Sequence, residues 1–171
     1  MKTIPALPPV AVDWLESGRW VHAASGAICV YCGFGGGPQV KFEEWLHLRS
    51  GHVIPKALGG GFRQISRAVS ARFSELPLRD RRALAIELAR SNRVTACGWC
   101  EYVGDRLAVS PDLGTLIRNA PGDVEAVKAA VLDAIESTKG RRADQTRSIR
   151  EAVRREFERS VQRQLERTRT S

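Results

Sequence analysis

Along residues 62–76 the apolar side chains Phe62, Ile65, Val69, Phe73 and Leu76 recur at steps of three and four, the period of one helical face. Pro77 breaks that helix and can open the next, on which Leu84 and Leu88 share a face before Ser91 and Asn92 end it. Arg93 to Ala96 reads as a short strand leading into Cys97, and Gly98 to Leu107 as the start of a helix whose length Gly104 limits. Asp123 is a good N-cap for an amphipathic helix carrying Val124, Val127, Val131 and Ile135 and closing near Gly140. From about Asp144 to Thr168 a last helix places Ile149, Val153, Phe157, Val161 and Leu165 at steps of four. That step drifts around a straight helix, so the stripe is wide rather than a coiled-coil seam.

The first sixty residues are less periodic. Pro5, Pro8 and Pro9 give an extended lead-in, and Val12 to Ser17 has room for one helical turn. Trp20 to Val30 reads as extended structure interrupted at Ser25 and Gly26. Gly35, Gly36 and Gly37 form a turn ahead of a mixed stretch, Val40 to Arg49. His52, Val53 and Ile54 make a short strand that Pro55 ends, and Gly59, Gly60 and Gly61 mark the next loop. The expected class is α+β. The break most like a boundary is Lys139-Gly140-Arg141, dividing a body (1–139, with helices inserted at 62–91) from a basic helix (140–171).

A chain of 171 residues, 43% hydrophobic, is long enough to close one core and too apolar to be disordered by composition. No apolar run approaches the roughly 18 residues of a membrane span, and Met1 to Val12 lacks a secretory h-region. A cytoplasmic protein with no membrane association is the expectation. Net charge is +8, and residues 140–171 hold ten arginines against five acidic side chains, net +5. A basic end suits a polyanion, because each phosphate neutralised releases counterions. A solvated helix face with nothing bound gives the same pattern. On a helix, Arg147, Arg150 and Arg154 lie within two adjacent turns of one side, so they are the expected phosphate contacts. The parallel row Arg155, Arg159, Arg163 is partly neutralised by Glu151, four residues before Arg155.

All four cysteines fall into two Cys-x-x-Cys pairs, Cys29/Cys32 and Cys97/Cys100. Two residues between thiolates let both sulfurs face one ion, and two such knuckles supply the four soft ligands of a tetrahedral zinc site. A redox pair needs only one Cys-x-x-Cys, and a disulfide framework belongs to secreted chains. A structural zinc ion is therefore the expected cofactor. Its task would be to join two distant parts of the chain and contribute folding energy directly.

Between the pairs lies Ser50-Gly51-His52-Val53-Ile54-Pro55-Lys56-Ala57-Leu58-Gly59-Gly60, and Asn92 precedes Cys97 by five residues. In this order the chain resembles the HNH endonuclease family, in its zinc-stapled members, over about residues 28 to 103. The resemblance implies a ββα-metal core, with His52 as general base activating water against a phosphodiester, and imidazole suits that task near neutral pH. It also implies a catalytic Mg²⁺ or Mn²⁺ on the scissile phosphate, with Asn92 holding the loop that orients His52. Two positions depart from the family pattern. Gly51 stands where an acidic ligand is expected, and Glu101 where Asn or His follows the second pair. Glu101 is itself a competent hard-oxygen ligand. His22 and His47 have no motif around them and read as structural.

Three functions follow as expectations. The first is a metal-dependent DNA endonuclease using His52, Asn92 and Glu101. The second is a catalytically inactive zinc-containing nucleic-acid-binding module on the same scaffold. The third is a protein-interaction module, of the kind a phage or mobile element carries, with a protein partner or self-association through the apolar stripe of the last helix. The arginines Arg63, Arg67 and Arg72 of the inserted helices are either a recognition element or part of extra core.

Overall fold

The computed structural model describes residues 24–36, 41–107 and 110–169. The readings of Pro5 to Pro9, Val12 to Ser17 and His22 lie outside them. Two strands, β1 (Leu48–His52) and β2 (Arg93–Cys97), pair antiparallel, with Leu48 opposite Cys97 and His52 opposite Arg93. The helix α4 (Gly98–Leu107) starts at the residue after β2 and packs against both strands. A short helix α1 (Phe42–Leu46) precedes β1. Between the strands the chain makes a helical hairpin of α2 (Phe62–Arg72) and α3 (Leu78–Ser91). Then come α5 (Leu113–Asn119) and the long α6 (Val124–Glu156). The α+β class holds in this form, a helical protein around one two-stranded sheet.

Aspartate caps start the two later helices. Asp112 accepts from the Thr115 N–H at 2.6 Å and Asp123 from the Ala126 N–H at 3.0 Å, each satisfying a donor that a helix N-terminus leaves unpaired. The larger core gathers the apolar faces of four helices: Ile65 and Val69 of α2, Leu84 and Leu88 of α3, Leu113 and Ile117 of α5, and Val127, Val131 and Ile135 of α6. A second, smaller core surrounds the cysteines and holds Tyr31, Leu48 and Ala96.

Several boundaries differ from the sequence reading. The strand expected at His52 to Ile54 lies upstream, and His52 is its last residue, because the Val53 N–H bonds the Asn92 carbonyl and Ile54 is taken up by the Asn92 side chain. Of the stretch Trp20 to Val30, expected to be extended, the described residues 24–30 run through turns instead, with Ala27 at φ 55°. The helix α2 ends at Arg72, well before Pro77, where the Phe73 N–H closes on the Val69 carbonyl. Gly104 does not shorten α4. Nor does Gly140 close the helix before it: α6 runs through to Glu156, then a π-helical stretch (Phe157–Val161) and α7 (Gln162–Arg169) continue it. The reason lies in the buried face. Beyond Ile135 it continues at helical spacing as Thr138, Arg142 and Thr146, so burial persists after the apolar pattern stops.

Asn92 caps α3 and fixes the bend that follows β1. Its carboxamide accepts from the Ile54 N–H at 2.8 Å and donates to the carbonyls of Ile54 and Gly60, both at 2.9 Å. Gly60 must be glycine for this, since a Cβ there would overlap the Ile54 carbonyl and stand 2.7 Å from the Asn92 amide nitrogen. The side chain is fully buried, so removing it strands three backbone groups away from water. Asn92→Ala is expected to lower unfolding free energy by about 3 kcal/mol or more in urea titration. Stability within about 0.5 kcal/mol of wild type would contradict this account of the bend.

Candidate metal centre and basic groove

The first cysteine pair sits on a turn. The Cys29 N–H bonds the Phe34 carbonyl at 2.7 Å, the Gly33 N–H bonds the Cys29 carbonyl at 2.9 Å, and the Val30 N–H reaches the Thr95 carbonyl of β2 at 3.0 Å. That last bond seats the turn against the strand that delivers the second pair. Cys97 ends β2 and Cys100 lies in the first turn of α4, where its N–H faces the Cys97 sulfur at 3.5 Å. All four sulfurs fall within 4.8 Å of one another, and none is in a disulfide. Cys29, Cys97 and Cys100 are buried, while Cys32 is half-buried at the rim.

Hydrogen bonds from Cys100 and Cys97 hold the Cys29 thiol far below its ordinary range. Hydrogen bonds with Cys29 and Cys97, together with burial, push Cys100 far above it. Several thiolates at this spacing repel one another and need a cation between them. The cluster can hold a metal ion, and it is the one convergent set of three or more such ligands among the described residues.

The residues expected to carry catalysis are arranged differently. The His52 Nε2 stands 3.0 Å from a guanidinium nitrogen of Arg93. Because guanidinium only donates, Nε2 accepts and the neutral ring carries its proton on Nδ1. Burial first, then the charges of Arg93 and Lys56, push the His52 pKa down to about 4. Asn92 holds the bend next to His52, and its amide is spent on that task. Glu101, in the first turn of α4, faces Arg49 at 3.9 Å. Its carboxylate also lies 3.8 Å from where a Cβ on Gly51 would stand. His47 is not on the strand; it caps α1 and meets the Phe34 ring edge-on.

Arg142 is the functional residue that sequence reasoning missed. It is 2% exposed, and one guanidinium nitrogen donates to the carbonyls of His52 (2.8 Å) and Val53 (2.6 Å). The other reaches Asp105 at 3.3 Å. Gly104 gives it passage, since a Cβ there would collide with the guanidinium. The bend after His52 is thus gripped by Asn92 from the sheet side and by Arg142 from α6. The signal was present in the chain: residues 131, 135, 138 and 142 share one helical face, and the last is an arginine.

Beside the cysteines, α6 and the π-helical stretch border an open groove of about 900 Å³. One wall carries Arg147, Arg150 and Arg154 with Val153 and Phe157; Phe34 and Trp99 stand across from them. Arg147 pairs loosely with Asp144 (3.5 Å) and Arg154 with Glu158 (2.9 Å), while Arg150 reaches toward the Cys32 carbonyl (3.5 Å). These are pairs in solvent and cost little to exchange. Arg72 is used otherwise, bonding the Gly122 carbonyl at 3.0 Å.

Set against known proteins, the chain matches no family model, no curated protein and no solved structure.

The His52 environment has a consequence for stability. Its folded pKa of about 4 lies below the 6.5 of a free imidazole, so the unfolded chain binds more protons between those values. Stability is expected to be full above pH 6.5 and to fall as pH drops toward 4. His52→Gln removes this contribution, so the difference between the two proteins' urea midpoints across that window isolates it. Parallel curves for both proteins would contradict a buried neutral His52.

Proposed function

We propose that this protein is a non-catalytic nucleic-acid-binding module whose binding groove is built against a structural zinc centre. The observation that carries the reading is the row Arg147, Arg150 and Arg154 along one wall of a groove whose other wall is the cysteine turn and Trp99. Phosphates are the anions that such an exposed arginine row serves best, by charge-assisted and bidentate hydrogen bonds.

Zinc fits the donor set. Four thiolates are soft ligands, and at a Zn–S distance of about 2.3 Å a tetrahedron has sulfur–sulfur edges of about 3.8 Å. The Cys32 and Cys97 sulfurs are 3.8 Å apart, across 65 residues of sequence. The ion, when bound, supplies the positive charge that lets the thiolates coexist and so ties the turn to the β2–α4 junction. The order β1, β2, α4, with Asn92 holding the bend beside His52, supports the resemblance to the zinc-stapled HNH scaffold. Arg93 on the His52 Nε2 favours binding over hydrolysis, because it occupies the nitrogen a general base would use.

One observation favours the endonuclease as a second reading. The Glu101 carboxylate sits beside Gly51, one residue from His52, so a Mg²⁺ or Mn²⁺ held there with phosphate oxygens would lie near a base. A nicking assay on supercoiled plasmid with either metal separates the readings. The binding reading expects no cleavage above that of a His52→Ala control; cleavage that His52→Ala abolishes would replace it with the hydrolase.

Two measurements test the proposal itself. Protein purified without added zinc is expected to carry about one zinc per chain, and Cys97→Ser to lose both the metal and cooperative unfolding. A metal-free protein that melts as cooperatively as the holoprotein would contradict the structural role. With about three phosphates engaged, log affinity should fall against log salt with a slope near −3. Replacing Arg147, Arg150 and Arg154 together by alanine should weaken binding and flatten that slope while leaving the melting temperature in place. An unchanged slope would move the interface elsewhere.

A further inference from the structure

We infer that the groove takes single-stranded nucleic acid, with bases stacked among Phe34, Trp99 and Phe157 and phosphates on the arginine row. The inference rests on the nucleic-acid reading and narrows it to one strand form.

The groove makes two different demands on an occupant. Its arginine wall carries Arg147, Arg150 and Arg154 with Glu151 beside them. The pairs of Arg147 with Asp144 and Arg154 with Glu158 are solvent-exposed and exchange readily for a phosphate, so the wall suits an anion. Its remaining surface is largely apolar and aromatic, and Val153 and Phe157 leave 51% and 45% of their surface open. Nothing within the described residues covers them. A ligand that satisfies both needs flat apolar faces joined to a charged backbone at short intervals. Along α6, Arg147 to Arg150 and Arg150 to Arg154 advance by about 4.5 and 6 Å, so the row can follow a backbone rather than clasp one ion.

A duplex answers only the first demand, since its bases already stack on one another and it would present phosphates to the arginines alone. A single strand brings unstacked bases, and base–aromatic stacking with arginine nearby is how sequence-tolerant single-strand grooves hold their ligands. An acidic peptide also offers charge, but it has no planar groups to match three rings around one cleft. The position of the groove adds a link to the metal centre. Cys32, Cys97 and Gly98 form part of its lining, so the cysteine turn sets the distance between the rings and the arginine row.

The test uses the full-length zinc-loaded protein and fluorescence anisotropy with two probes, a fluorescein-labelled oligodeoxythymidylate and a blunt duplex of the same length. The single strand is expected to bind more tightly. Phe157→Ala should cost it about fivefold or more, the loss of one base–aromatic stack, while leaving duplex affinity and the salt slope unchanged. Phe157 stands half-exposed on the helix, so this variant retains the fold. Trp99→Ala should act in the same direction, with zinc content measured alongside because Trp99 packs against the cysteine cluster. Equal losses on both probes, or no loss on either, would overturn the stacking inference and leave the arginine reading standing. Binding of neither probe would remove both. A concentration-dependent dimer in sedimentation that Phe157→Ala dissolves, with single-strand affinity unchanged, would assign the groove to a second copy and overturn the inference.

Discussion

Four sulfur atoms gathered within 4.8 Å bring together a turn at residues 29–34, the end of β2 and the first turn of α4. Thiolates repel, and a pocket that buries three of these cysteines cannot ionise them all without a cation between them. The smaller core is built around the cysteines, with Tyr31, Leu48 and Ala96 buried beside them and Phe34, Trp45 and Trp99 packed partly buried against it. The position of the turn, and with it Phe34 and one wall of the groove, follows from that convergence together with the Val30 N–H bond to the Thr95 carbonyl.

The second constraint is polar and sits at the bend after His52. Asn92 and Arg142 together satisfy the carbonyls of His52, Val53, Ile54 and Gly60 and the N–H of Ile54. Arg142 is also what fixes α6 against the sheet, because a guanidinium this deeply buried is tolerable only where carbonyls and the Asp105 carboxylate receive it. The same helix then leaves the body and presents Arg147, Arg150 and Arg154 one to three turns later. The buried arginine therefore positions the exposed ones.

What could be read in the sequence was what has a local period or a fixed spacing. Ile65 and Val69 of α2, Leu84 and Leu88 of α3, the Asp123 cap and the paired cysteines belong to this kind, and the structure has them, although Phe62 is exposed and Phe73 and Leu76 lie beyond the end of α2. Asn92 was expected to hold the loop by His52, and its hydrogen bonds do hold that bend. The errors share another origin. The end of β1 and the length of α6 are decided by partners remote in sequence: Asn92 reaches back 38 residues to Ile54, and Arg142 reaches 89 to Val53. A helix whose buried face turns from valine and isoleucine to threonine and arginine offers no apolar signal past Ile135, so Gly140 looked like an end. The pairing of Arg93 with His52 follows from strand register, which neither residue announces.

The central claim is that the zinc centre builds the groove that binds nucleic acid. It is tested most directly by titrating the same oligodeoxythymidylate against the holoprotein, against protein stripped with a strong chelator, and against stripped protein given back zinc. Binding should be lost on stripping, with its salt dependence, and both should return with the ion. A stripped protein that binds with undiminished affinity and the same salt slope would contradict the account.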